Sequence, residues 1–148
     1  MIKKINPTPA IIIIQKLKSA KTNNNIKKII KDAWSSDSEE FFIGLELSLE
    51  KNNVNLISVP FINDLDDGGP GNYSFLEFYK MYQDIKNNTL SEQSIKSLIL
   101  DAATKSNITE WNEWYRRILL KKLHLDLPIN DIILEIKNLT NDKIYTNN

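Results

Sequence analysis

The sequence predicts an all-α fold of about six helices. Apolar residues recur at helical spacing along most of the chain, and several apolar runs follow a helix-start pattern of Ser, Thr or Asn with Glu three residues later. Only the short run 54–59 could form a strand. A chain of 148 residues is long enough for one domain with its own core, so we expect a single domain over 1–148.

The first part of the chain, 1–49, predicts three helices. Thr8 is the candidate N-cap of the first helix, and Pro9 suits its first position. The second helix, about 25–35, has apolar residues at the spacing of one buried face: Ile26, Ile29, Ile30, Ala33 and Trp34. Ser38 starts the third helix, because two acids follow it where the helix dipole favours negative charge.

Residues 50–72 are predicted to form a long irregular connection, since they hold two prolines and three of the four glycines. Asp64, Asp66 and Asp67 in this segment suggest a calcium loop. An EF-hand register that begins at Asp64 requires a bidentate acid where Phe75 stands. The pattern therefore fails, and we predict no metal site.

Helical pattern returns over 73–138. Three helix starts repeat the same capping chemistry, in the pairs Ser74 and Glu77, Thr89 and Glu92, and Asn107 and Glu110. The apolar stripes that follow them are Phe75, Phe78, Tyr79 and Tyr82, then Ile95, Leu98, Ile99 and Ala102, then Trp111, Trp114, Tyr115 and Ile118. A last helix begins at Pro128 and carries Ile132, Ile133 and Ile136, and 139–148 is predicted to be a tail.

Catalytic chemistry has little support in the sequence. The chain has no cysteine, and its single histidine, His124, has no second ligand or nucleophile at a useful spacing. There is no Walker-type phosphate loop, and paired acids are adjacent in sequence, so they diverge on a helix. We therefore predict no catalytic residue and no cofactor.

The N-terminal apolar run stops at Gln15 and Lys16, which is too short for a signal-peptide core or a membrane span. We expect neither secretion nor a membrane partner. The expected location is intracellular and cytoplasmic, which means the host cytoplasm if the source is viral.

Charge is unevenly distributed although the net charge is zero. Residues 1–31 hold eight lysines and no acid, whereas residues 32–67 hold nine acids and only Lys51. Two interpretations stay open: complementary elements that pack together, or a basic surface separated from an acidic one.

The segment 111–123 combines a basic side with an aromatic one. On a 100° wheel, Trp111, Trp114, Tyr115, Ile118 and Leu119 share one side, with Arg117 and Lys121 opposite, Arg116 flanking them and Lys122 on the apolar side. The basic side is either a solvated face of a core helix or a helix that follows backbone phosphates, because Arg and Lys one turn apart can reach neighbouring phosphates. Lys96 and Lys105 are weaker candidates for the same role.

From Tyr73 onward the order of elements resembles the N-terminal helical DNA-binding domain of ATP-dependent DNA ligases, particularly the phage type. In that family a helix, a short turn and a second helix precede a basic helix of the form Arg, apolar residues, basic, x, Leu, which ends at a sharp turn before the next helix. The corresponding segments here are 76–85, 88–89, 95–103, 116–123 and 128–136. The resemblance implies contacts to phosphate and sugar across the minor groove of nicked duplex DNA, in support of nick joining in replication, repair and recombination.

Two features depart from the family. The turn after the basic helix usually holds Gly, and this chain has Asp126 or its neighbours there. The Lys-x-Asp-Gly motif of the ligase nucleotidyltransferase domain occurs nowhere in the chain. The expected function is therefore non-catalytic DNA binding through Arg116, Arg117, Lys121 and Lys122, with a ligase catalytic domain possible in a separate chain. The alternative is a helical protein-interaction module with no nucleic-acid activity.

Overall fold

The computed structural model describes residues 9–50, 71–87, 90–125 and 127–146. Every regular element in these ranges is helical, which confirms the all-α prediction. The chain forms two compact units: unit 1 is 1–43 with 123–148, and unit 2 is 44–122. The prediction of one domain over the whole chain stays a prediction.

The described part of unit 1 is built on helices α1 (Ala10–Ser19), α2 (Asn23–Ser35) and α8 (Ile129–Thr146), with α2 packed against both of the others. Its core includes Ile13, Ile14 and Leu17 of α1 and Ile26 and Ile30 of α2, all buried. A short 3-10 turn, Leu123–Leu125, precedes α8. Helix α3 (Glu39–Leu49) begins in this unit as the acids after Ser38 predicted.

Two helix boundaries in unit 1 differ from the sequence expectation. Pro9 precedes α1 instead of opening it, and its carbonyl accepts from the amide of Ile12 at 3.0 Å; Thr8 lies outside the described residues. Helix α8 continues to Thr146, through most of the range that the sequence assigned to a tail. Pro128 stands just before α8, where its carbonyl accepts from the amide of Ile132 at 3.1 Å.

Unit 2 contains α4 (Phe75–Asn87), α5 (Glu92–Lys105), α6 (Ile108–Glu110), a π-helical turn (Trp111–Tyr115) and α7 (Arg116–Leu120). The predicted caps of α4 and α6 are confirmed: the Ser74 hydroxyl accepts from the amide of Glu77 at 3.2 Å, and the Asn107 side chain accepts from two amides. The predicted cap of α5 is wrong, because Ser91 caps that helix. Thr89 lies outside the described residues.

Aromatic rings form the centre of unit 2. Trp111, Trp114, Tyr115, Ile118 and Leu119 are all buried, which confirms the predicted apolar side of the 111–123 segment. Tyr115 stacks on Phe78 with ring centroids 4.6 Å apart. In the stripe predicted for α4, Phe75, Phe78 and Tyr82 are buried, but Tyr79 is exposed.

Gly44 lets α3 approach this aromatic centre closely. A Cβ at position 44 would lie 2.2 Å from Cζ2 of Trp114 and 3.1 Å from Cδ1 of Ile118. Both distances are shorter than ordinary van der Waals contacts. Glycine costs helical stability in the interior of α3, and its presence is explained by the space that the indole ring requires.

Candidate nucleic-acid interface

The segment that carries the predicted basic residues is not one regular α-helix. The π turn precedes α7, and its defining hydrogen bond joins the amide of Arg116 to the carbonyl of Trp111. The wider turn buries Trp111, Trp114 and Tyr115 while the chain passes into the short α7. A helical wheel with 100° per residue therefore predicts the buried side of this segment correctly. It does not predict the positions of Lys121 and Lys122, which follow the end of α7 at Leu120.

Helix α7 ends in a Schellman motif. Lys121 has left-handed backbone, with φ of 58°, its amide donates to the carbonyl of Ile118 at 3.1 Å, and the amide of Lys122 donates to the carbonyl of Arg117 at 3.0 Å. Glycine usually occupies this position because it has no Cβ. The sharp turn after the basic helix thus lies at Lys121, whereas Asp126 lies outside the described residues.

Arg116 and Arg117 occupy the first two positions of α7, and both are half-buried. Their Nε atoms are buried, and each residue takes part in an interaction within the protein. Each of the two side chains is therefore partly covered by protein and partly open to solvent. Their assignment as phosphate contacts stays a prediction.

The Lys121 side chain turns into unit 2. Its Nζ donates to the carbonyl of Leu47, at 2.6 Å, and to the hydroxyl of Tyr82. The Leu47 carbonyl belongs to the last turn of α3, where a positive charge suits the helix dipole. Burial lowers the pKa of the Lys121 ammonium, the Glu50 carboxylate opposes that change, and the Lys86 ammonium reinforces it.

These contacts belong to a wider polar network. The hydroxyl of Tyr82 lies 3.1 Å from the Leu47 carbonyl and 3.2 Å from a carboxylate oxygen of Glu50, and Glu50 also pairs with Lys86 at 3.2 Å. Lys121 therefore joins α7 to the end of α3 and the middle of α4. Sequence reasoning missed this role, since the hydrogen-bonded groups of Lys121 and Leu47 are 74 positions apart.

The other three predicted contacts lie at the surface. Lys122 is exposed, contrary to its place on the apolar side of the wheel, because it follows the left-handed residue. Within the described ranges, no ion pair involves it. Lys96 and Lys105 pair with acids one turn earlier on α5, with N–O distances of 3.7 and 3.1 Å to Glu92 and Asp101. Such exposed pairs are weak, so both ammonium groups can exchange partners.

Among the described residues, no group of three or more His, Cys, Asp or Glu side chains could hold a metal ion. Nor does any helix in those ranges have the length and apolar character needed to cross a bilayer. The site is thus a basic segment supported by an aromatic core.

The fold has counterparts among solved structures. Pmar-Lig_PreS3 superposes with a TM-score of 0.74 and 23% identity over 89% of this chain, and Pmar-Lig_Pre with 0.73 and 23% over 87%. This chain covers only 30% and 29% of those two chains. No family model matches the chain, and no curated protein matches it significantly.

The class of fold follows from these observations: the described residues form an all-helical fold that Pmar-Lig_PreS3 and Pmar-Lig_Pre share. The shared helical fold confirms the expected resemblance at the level of the fold. At 23% identity the likeness concerns the fold, so the phage type and DNA binding stay predictions.

Proposed function

We propose that this chain is a non-catalytic DNA-binding domain that contacts the sugar-phosphate backbone of nicked duplex DNA in support of nick joining. The observation that carries the proposal is the shared fold with ligase-related proteins over 89% of the chain. Because the chain covers 30% of Pmar-Lig_PreS3, it corresponds in size to one part of such a protein. A ligase catalytic domain in a separate chain is a candidate partner in this role.

The structure of α7 supports a backbone contact. Arg116 and Arg117 are adjacent and half-buried, so part of each side chain is already covered by protein and less side-chain entropy is lost when they meet phosphate oxygens. Lys122 adds an exposed ammonium at the end of the same segment. Phosphate contacts of this kind do not depend on base sequence.

Lys121 has a different part in the proposal. Its ammonium is bonded to Leu47 and Tyr82, so we assign it chiefly to positioning α7, while its direct contact with phosphate stays a prediction. In this scheme Lys96 and Lys105 contribute only where phosphate replaces their exposed carboxylate partners.

A binding titration over a series of salt concentrations tests the function. The full chain should bind nicked duplex at low salt and lose affinity steeply as salt rises, with a log–log slope of about −0.9 for each phosphate contact. Intact duplex of the same sequence and a second sequence of equal length serve as comparisons. Absence of binding to every duplex at low salt would refute the proposal.

The alternative, a helical protein-interaction module, is favoured by one feature of unit 1. A groove of about 450 Å³ is lined by the aromatic side chains of Trp34 and Phe42, with Ile43, Asp37, Ser38 and Glu39 around them. Half-buried aromatic rings beside acids suit a peptide with apolar and basic residues. A chain that binds no nucleic acid in the titration above would be assigned to this class.

A further inference from the structure

Exposed lysines are concentrated on α1, α2 and the turn between them. In the described part of this region every lysine is exposed: Lys16, Lys18, Lys21, Lys27, Lys28 and Lys31. No acid occurs before Asp32. This basic surface belongs to unit 1 and is separate in sequence from the 116–122 segment of unit 2.

Helix α2 directs its lysines away from the core of unit 1. Ile26 and Ile30 are buried, whereas Lys27 and Lys31 lie one turn apart on the outer side, and Lys28 lies three residues before Lys31. Like charges at this spacing repel each other and weaken an isolated helix. All three side chains are exposed, so burial does not offset this repulsion.

The lysines of α2 also differ from three lysines of unit 2 in their partners. Lys86, Lys96 and Lys105 each pair with an acid. Across the described residues, no ion pair forms to the lysines of the surface at positions 16, 21, 27, 28 and 31. The described acids after residue 31 therefore form no ion pair with these five lysines.

The groove between α1 and α2 helps to identify the kind of partner. It has a volume of about 270 Å³, and its lining includes the apolar residues Ile13 and Ile29 and the lysines Lys16 and Lys28. Asp32 also lines it and would repel a small anion held inside. A polyanion that lies across the outer lysines avoids this repulsion and meets several ammonium groups at once.

We propose that the outer face of α1 and α2 is a second contact surface for the phosphate backbone of duplex DNA. The inference rests on the proposed function and extends it to unit 1. A membrane surface fits less well, since an interfacial helix inserts its apolar face, and here Ile13, Ile14, Leu17, Ile26 and Ile30 are buried in the unit. Lysines act as point charges, so we expect contact without base selection.

The test uses the full chain with two charge-matched double variants. Lys27→Glu with Lys31→Glu changes the surface, and Lys80→Glu with Lys137→Glu changes two exposed lysines on α4 and α8. The first variant should lower the magnitude of the log–log salt slope by about 1.8 on both nicked and intact duplex, which corresponds to two contacts. The control should retain the wild-type slope within about 0.3. Circular dichroism melts verify that both variants fold.

The duplex titration and a vesicle titration together distinguish failure of this inference from failure of the proposed function. If wild-type chain binds duplex but the α2 variant has the wild-type slope, this inference is overturned and the proposed function stands. If wild-type chain binds no duplex at low salt, both fail. Binding of the chain to vesicles that contain phosphatidylserine is measured as well. If the wild type binds these vesicles, the Lys27→Glu, Lys31→Glu variant does not, and the salt slope on duplex is the same for both, the surface contacts lipid and the DNA inference is overturned.

Discussion

The ammonium group of Lys121 donates a hydrogen bond to the phenolic oxygen of Tyr82 and a second one to the carbonyl of Leu47. One side chain thereby connects the residue that ends α7 with α3 and α4. A residue predicted to face a phosphate backbone thus stabilises the helix that carries Arg116 and Arg117. Variants of Lys121 and Lys122 therefore separate this structural role from DNA binding.

Replacement of Lys121 by Met should destabilise the protein. The substitution keeps most of the side-chain volume but removes both hydrogen bonds, at a cost of roughly 1–3 kcal/mol. The matched control is Lys122→Met, which alters an exposed neighbour and should change the free energy of unfolding by less than about 0.5 kcal/mol. Chemical denaturation measures both. Equal stability of the two variants would contradict the positioning role.

Two described residues other than glycine, Asp37 and Lys121, have left-handed backbone, and substitutions at both positions test its cost. Asp37, with φ of 56°, ends α2 in the same Schellman geometry as Lys121 ends α7. Because glycine adopts this backbone without strain, Asp37→Gly should stabilise the protein by up to about 1 kcal/mol.

Lys121→Gly should not stabilise the protein. Glycine relieves the backbone strain, but the two hydrogen bonds from the Lys121 ammonium group are lost. Lys121→Ala should be less stable than Lys121→Gly by about 1 kcal/mol, because alanine loses the same bonds and keeps the strain. Thermal melts rank the three variants. An alanine variant as stable as the glycine variant would show that the backbone at position 121 is not strained.

Gly44→Ala should be strongly destabilising. The added methyl group would overlap the buried Trp114 ring, and forced repacking of a core typically costs about 1–3 kcal/mol or more. Glu46→Ala in the same helix is the control, since Glu46 is exposed and alanine favours helix formation. Tryptophan fluorescence during denaturation reports the change. A Gly44→Ala protein with wild-type stability would place the helix and the ring farther apart than described.

Alkaline pH should destabilise the protein partly through Tyr73. Burial, reinforced by the Glu77 and Asp101 carboxylates, raises the pKa of its phenol well above the ordinary value near 10. The unfolded chain therefore loses this proton first, and stability that is complete below about pH 10 falls as pH rises further.

Tyr73→Phe should show a smaller loss of stability between neutral and alkaline pH than the wild type. Tyr79→Phe, at an exposed tyrosine of the same unit, should behave as the wild type does. Denaturation at several pH values measures the difference. If the Tyr73→Phe protein loses as much stability as the wild type, the phenol does not remain protonated in the folded state.

Local chemistry allowed much of the fold to be predicted. Ser74 and Asn107 cap their helices as expected, because the capping hydrogen bonds span only two or three residues. The start of α5 was misplaced because Thr89 and Ser91 are both suitable caps, and only the structure shows that Ser91 accepts from the amide of Ser94.

The candidate site was harder to predict. Trp111 and Trp114 were assigned correctly to the core, since apolar spacing is a local signal. Nothing in the sequence indicates the π turn or a lysine in left-handed backbone, where glycine is the usual signal for a helix end. The long-range bond from Lys121 to Leu47 depends on packing that no periodicity contains.

The most direct test of the central claim compares Lys122→Glu with Lys80→Glu in salt-dependent binding to nicked duplex DNA. Both residues are exposed lysines of unit 2, so neither change should affect folding. The proposed interface predicts a salt slope smaller in magnitude by about 0.9 for Lys122→Glu and no change for Lys80→Glu. Equal slopes for the two variants and the wild type would contradict a phosphate contact at the end of α7.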